Sequence, residues 1–410
     1  MEAHFQSRTL WAERRVEEFL SLPLVSEFVF RSPQTVDASQ REVADFLVTC
    51  GAPGILISQK CQEDPTTRAA EKLETWACKR AKKAVSQLIG ALRTGPSRPM
   101  WCEHPRRGRV DFPTGLPPIA HGVVLIEAFE AVALRQEEDE LPLEYNGTPI
   151  SYLSLNDFLN LTVQLRTVPE IVEYLDRRRS LPFADLRTVG EERSLFAFYL
   201  LNQGSFVDCL GIADAKITVA AQADRFEDLL LRKLESDRFS GLLEHVAHEL
   251  ATRLPGYAAG LSPTVLAAFD QTEGRHNYIE MQRVLASLRL RERAELGRAF
   301  DSTAAKLRGE AQGFVYRAMR FDSQPDWVYV VGSSKKIARP ELLSRLEPLI
   351  RGALAYFEKS RCFLVIDRDG VGYEVALSRP GYQPSLTDHA LGNKLYGNLR
   401  TESRPITLVP

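Results

Sequence analysis

The sequence predicts an α/β protein: a mixed-sheet domain over residues 1–190, a mostly helical middle region over 191–310 and a small α/β domain over 311–410. Three observations lead there. Short strand-like apolar runs alternate with helical patterns through the first region. Helical periodicity dominates the second. A strand–helix–strand–strand pattern fills the third.

The chain has 410 residues, enough for two or three domains at roughly 150 residues each. A hydrophobic share of 44% and a charged share of 26% are ordinary for a soluble globular protein with a real core. The net charge of −2 gives no global attraction to nucleic acid or membrane, so any basic surface is local. The six cysteines (Cys50, Cys61, Cys78, Cys102, Cys209, Cys362) include no CxxC pair. Their scatter fits neither a zinc cage nor a disulfide framework, and points to reduced thiols in the cytoplasm. The opening "MEAHFQSRTLWAERR" is too polar for a secretory signal. No run of about 18 apolar residues exists, so no membrane contact is expected.

The elements follow in order. "SRTLWAERRVEEFLSLP" reads as a helix: Ser7 or Thr9 caps it, Val16, Phe19 and Leu20 form its apolar stripe, and Pro23 follows its end. "EFVFRSP", "EVADFLVTC" and "GILISQK" read as three strands, the last two joined by the turn "GAPG". A long helix over about 66–93 ends at Gly95 and Pro96. "RPMWCEHPRRGRVDF" reads as a hairpin with a basic tip, and "HGVVLIEAF" as a buried strand. "ISYLSLNDFLNLTVQL" and "VPEIVEYLDRRRSL" give a strand and two helices. In the middle region "RFEDLLLRKLE", "GLLEHVAHELATRL" and "YIEMQRVLASLRLRERAELGRAF" are helical. Last come the strand "WVYVVGSS", the helix "RPELLSRLEPLIRGALAYFEK" and the strands "RCFLVID" and "GYEVALS" about an "RDG" turn. Residues 381–410 read as loop.

Along "GILISQK", Leu56, Ser58 and Lys60 point one way, and Ile55, Ile57 and Gln59 the other. A Lys at the end of a buried strand needs a partner, and Asp45 on the neighbouring strand is the natural one. A carboxylate and a Lys at the edge of a mixed sheet are suited to phosphodiester chemistry. The carboxylate holds a divalent cation, the cation polarises a phosphate and activates a water, and the Lys stabilises the developing charge.

This order of elements and the spacing from Asp45 to Ser58-Gln59-Lys60 resemble the PD-(D/E)XK, or restriction-endonuclease-like, nuclease superfamily. The resemblance covers about residues 8–130, or 8–180 with the two following helices. Asp45 matches the first acid and Lys60 the Lys. Glu13, in "AERRVEEFL", matches the first-helix Glu that often adds a metal ligand. The resemblance implies a nuclease that uses Mg²⁺ or Mn²⁺, with Asp45 and Glu13 as ligands and Lys60 as charge stabiliser. The domain arrangement resembles effectors of bacterial genome or phage defence. The chain departs from the pattern at Ser58, which stands where an acid is usual; a hydroxyl is the poorer metal ligand. Glu13, Glu17, Glu42 and Gln59 are candidates to replace that acid. In a regular strand, Glu42 faces away from Asp45 unless a bulge brings it round. The alternative is a non-catalytic nucleic-acid-binding or scaffold protein, in which Asp45 and Lys60 form a plain ion pair.

Trp76, Arg80, Lys83 and Gln87 share one helix face, suited either to phosphate contact or to solvent. Arg106 and Arg107, at the tip of "HPRRGR", either reach a nucleic-acid groove or form an exposed turn. The Arg-rich stretch 283–298 reads as a solvated helix face, with Leu285, Leu288 and Leu296 turned to the core and Glu292 and Glu295 pairing with Arg. His245 and His248 lack a third metal ligand. "VVGSSKK" lacks the phosphate-loop frame. The expected partner is DNA or RNA, with a protein partner or a second copy engaging the helical and C-terminal regions.

Overall fold

The computed structural model describes residues 11–16, 22, 24–36, 41–50, 53–63, 69–104, 108–128, 141–181, 192–206, 220–253, 273–398 and 408. The chain is mixed α/β. It groups into two compact units: Met1–Leu231 with Gly256–Gln271, and Arg232–Pro255 with Thr272–Leu408. The boundary falls inside the helix Ala223–Asp237.

In the first unit, a helix over residues 11–16 (α1) buries Ala12 and Val16 completely. Then come β1 (Val29–Arg31), β2 (Gln34–Thr35), β3 (Phe46–Val48) and β4 (Gly54–Cys61). The long helix α2 (Ala70–Thr94) follows, then the hairpin β5 (Met100–His104) and β6 (Gly108–Phe112), then β7 (Ile119–Glu127), β8 (Glu144–Tyr145) and β9 (Thr148–Ser154). The main sheet has the order β1-β3-β4-β7-β9-β8. It is mixed: β3 runs antiparallel to β1 and β4, whereas β4, β7 and β9 are mutually parallel. A parallel pair needs a long crossover, and α2 with the hairpin supplies it between β4 and β7. β2, β5 and β6 make a smaller antiparallel sheet.

The core follows strand alternation. Leu56, Val124, Ile126 and Ile150 face the small-residue stripe Ala77, Ala81 and Ala84 of α2. Those alanines let the helix lie close to the sheet. Gly54 opens β4 where an added Cβ would stand 2.5 Å from the Val48 carbonyl, so no larger residue fits that tight return. Beyond β9, α3 (Leu155–Leu165) is capped by Ser154, which accepts from the Asp157 N–H. Thr167 likewise caps α4 (Val168–Arg179). The helix α5 (Glu192–Leu201) adds Tyr199, which meets Tyr174 edge-to-face at 5.1 Å.

The second unit contains α7 (Ser240–Arg253), α8 (Glu273–Ala286) and α9 (Leu290–Leu307), after α6 (Ala223–Asp237) at the boundary. Its sheet comprises β10 (Gly313–Met319), β11 (Trp327–Lys335), β12 (Arg361–Arg368) and β13 (Tyr373–Leu377), in that order. Helix α10 (Arg339–Phe357) joins the parallel pair β11 and β12 and packs with α11 (Leu386–Tyr396) on the face of Val328, Val330 and Leu364. The opposite face receives α9, whose Thr303 hydroxyl lies 2.9 Å from that of Ser333.

Several expectations need correction. The stretch from Tyr278 to Phe300 is two helices, with a break at residues 287–289. The Glu292 carboxylate accepts from the Arg289 N–H and starts the second helix. Arg293 is no part of a solvated face. It is 1% exposed, and its guanidinium donates to the carbonyls of Leu285 and Ala286, capping the end of the first helix. Residues 381–410 are not all loop, because Ser385 and Asp388 form a capping box that starts α11. β10 was not foreseen. Among the described residues, no helix is long and apolar enough to cross a membrane.

Candidate active site

The site lies where β4 ends. Because β3 is antiparallel to β4, with Phe46 opposite Ile57, the residue just before β3 comes to the C-terminal end of β4. That residue is Asp45. It precedes the strand instead of lying within it.

Among the described residues, the side-chain hydrogen bonds of Asp45 all fall on one oxygen. Oδ2 accepts from the Gln59 N–H at 2.6 Å and from the Ser58 hydroxyl at 3.1 Å, and the Lys60 ammonium stands 3.6 Å away. Among the described residues no donor reaches Oδ1. Lys60 also donates to the Gln59 carbonyl at 2.8 Å. The Asp45 and Lys60 side chains are 25% and 17% exposed. The pair is therefore partly shielded from water while still open to a ligand. Hydrogen bonds to a charged group are worth about 1.5–3 kcal/mol each, so the carboxylate is firmly oriented.

Asp45 and Lys60 border an open cleft of about 270 Å³ together with Glu13, Gln59, Cys61, Glu63 and Arg80. The helix α1 brings Glu13 there, where it pairs with Arg31 of β1. Arg80 comes from α2 and sits 5.9 Å from the Trp76 ring. The fold thus collects Glu13, Asp45, Lys60 and Arg80 from α1, the segment before β3, β4 and α2. Lys83 is exposed on α2 and is not among the residues lining this cleft. Glu17, Arg106 and Arg107 lie outside the described residues.

Gln59 and Glu42 fall differently. Gln59 serves through its backbone. Gln59 is 7% exposed, and its buried side-chain amide has no hydrogen-bond partner among the described residues. Glu42 was expected to face away from Asp45, but residues 41–45 are not a regular strand, and Glu42 makes only an isolated bridge to Gln34. It borders a second cleft, of about 520 Å³, that Asp45 and Ser58 also line. Glu63 was not foreseen. It lies just past the end of β4, so its closeness in sequence to Lys60 was the available signal.

Across protein-family models, curated proteins and solved structures, nothing matches this chain.

Proposed function

We propose that this chain is a divalent-cation-dependent nuclease, with a first unit of the PD-(D/E)XK kind. The observation that carries this reading is the meeting of Glu13, Asp45 and Lys60 at one cleft, with Lys60 3.6 Å from Asp45. The order α1, β1, β3, β4, α2, β7, with β4 and β7 parallel, supports it further.

The donors suit a hard cation. Among the described residues no trio of His, Cys, Asp or Glu is grouped closely enough to hold a metal alone. Mg²⁺ needs less: one or two carboxylates, with waters and substrate phosphate completing its shell. Asp45, through Oδ1, and Glu13 would hold it, with Glu63 on the same cleft. When bound, the ion polarises the phosphoryl group and makes its water more acidic.

The remaining work belongs to the chain. Ser58 and the Gln59 N–H fix Asp45 through Oδ2 and leave Oδ1 without a donor among the described residues. The Gln59 carbonyl holds the Lys60 ammonium where it can stabilise charge developing on the phosphate. Arg80 offers a second cation for the same anion.

The test is an assay on single- and double-stranded DNA and RNA with Mg²⁺ or Mn²⁺, against Asp45→Asn and Lys60→Ala. Cleavage that needs both residues supports the reading, and folded variants that cut like wild type overturn it. A second reading, a nucleic-acid-binding protein that does not cut, is favoured by the donors already gathered on Asp45 Oδ2. It is met by binding without cleavage under every cation.

A further inference from the structure

We propose that the larger cleft beside Asp45 holds the sugar–phosphate backbone of a single nucleic-acid strand. This deepens the nuclease reading and rests on it. The cleft measures about 520 Å³ and opens between the segment before β3 and the C-terminal half of α2. Arg41, Arg93 and Arg98 line it, together with the acids Glu42 and Asp45. Arginine forks match phosphate oxygens two at a time. Gln87, on the same wall, comes within 3.4 Å of the Ser58 hydroxyl and adds an uncharged polar group.

Two features narrow the ligand. Among the described residues lining the cleft there is no aromatic ring. Base stacking, the usual means of gripping bases in single strands, is therefore missing, and contact falls to phosphate and sugar. The volume is that of a small-ligand site. A cleft of this size takes a few linked nucleotides of one strand, whereas a duplex engages a broad surface. Asp45 lines both clefts, so a strand lying here passes the proposed cation site.

Gly90 keeps the passage open. It sits near the C-terminal end of α2, lines the cleft, and a Cβ added there meets nothing within 4 Å. A large residue at this position projects into the cleft, and almost any residue forms helix better than Gly.

The experiment is fluorescence anisotropy in EDTA with labelled oligo-dT, oligo-U and a duplex of equal length, over a salt series. The proteins are wild type, Gly90→Phe, the pair Arg41→Gln with Arg93→Gln, and Arg177→Gln as a control on α4. Expected is single-strand affinity about tenfold lower or worse in Gly90→Phe. The arginine pair should lose about 0.7 of log–log salt slope for each phosphate contact removed. Arg177→Gln should bind as wild type does. DNA and RNA arms should weaken together, and the duplex should bind more weakly than either strand. Unchanged affinity and slope in the arginine pair overturn the proposal, even if Gly90→Phe does not fold. Duplex binding as tight as single-strand binding also overturns it. Undiminished cleavage by folded Gly90→Phe removes this cleft and leaves the nuclease reading standing. Binding that depends on the cleft, without cleavage under any cation, removes the nuclease reading instead.

Discussion

The hydroxyl of Ser58 donates to Asp45 Oδ2 across 3.1 Å. The Ser58 side chain therefore holds the neighbouring acid in position. Ser58→Ala should cost about 1 kcal/mol of stability, the worth of one hydrogen bond, and change cleavage little. Ser58→Asp sets two carboxylates side by side, which disfavours charging both. Its melting temperature should fall in EDTA. Mg²⁺ should then raise it by more than it raises wild type, because a cation that binds only the folded protein stabilises it. Equal Mg²⁺ shifts in the two proteins would show that no cation sits between positions 45 and 58.

Asp45→Asn and Lys60→Ala should each lower cleavage about 100-fold or more, the scale on which a charge-stabilising group is lost. Because water partly screens the pair, Lys60→Ala should cost only about 1 kcal/mol of stability. Circular dichroism melts and gel-based cleavage, run on the same preparations, separate the two effects.

Thiol chemistry offers an independent probe of the cleft. Burial first, then the neighbouring Glu103 charge, pushes the Cys102 thiol up to about 12. Burial also raises Cys362 well above its usual range. Neither forms the reactive thiolate near neutral pH. Cys61, partly exposed, lines the cleft. Mass spectrometry after brief maleimide treatment should find Cys61 labelled ahead of Cys102 and Cys362. The adduct should block cleavage, and Cys61→Ser should be resistant.

His121 gives the first unit a pH dependence. Burial lowers its pKa below 6.5, opposed by the Asp176 carboxylate 3.0 Å away and reinforced by Arg179. The folded protein therefore takes up its proton at lower pH than the unfolded chain does. Its contribution is complete above about pH 6.5 and is lost as the pH falls from there through the lower folded value. Urea unfolding between about pH 5 and 8 should show this slope, and His121→Gln should flatten it.

In the second unit, Gly297 lets α9 come close to the turn between α6 and α7. A Cβ there would stand 2.0 Å from the Phe239 carbonyl oxygen. Gly297→Ala should destabilise by about 1–3 kcal/mol through overpacking, read from the denaturation midpoint.

What the sequence made legible followed from regular periods. The alternation of "GILISQK" placed Ser58 and Lys60 on one side, and the neighbouring strand brought Asp45 toward them, whereas Glu13 was reached only through the family resemblance. The misses have other causes. The reading of Glu42 applied to a regular strand, and residues 41–45 are not one: the strand begins only at Phe46. β10 carries no clean alternation, since its residues are nearly all half-buried. α11 begins at Leu386, which is 89% exposed, so its signal lay in the Ser385–Asp388 cap and not in an apolar stripe. Arg293 looked solvated because its partners are backbone carbonyls, which no pattern of charges reveals.

β4 lies inside its sheet, hydrogen-bonded to β3 on one side and β7 on the other, with Ile55, Leu56 and Ile57 at most 2% exposed. Strands of this kind are among the last to release their amide protons to solvent, because opening them requires the whole unit to come apart. Ser58, Gln59 and Lys60 extend that strand, and Asp45 is fastened to it. Warming should therefore leave the cleft intact until the first unit melts, so that loss of function and loss of amide protection follow one curve.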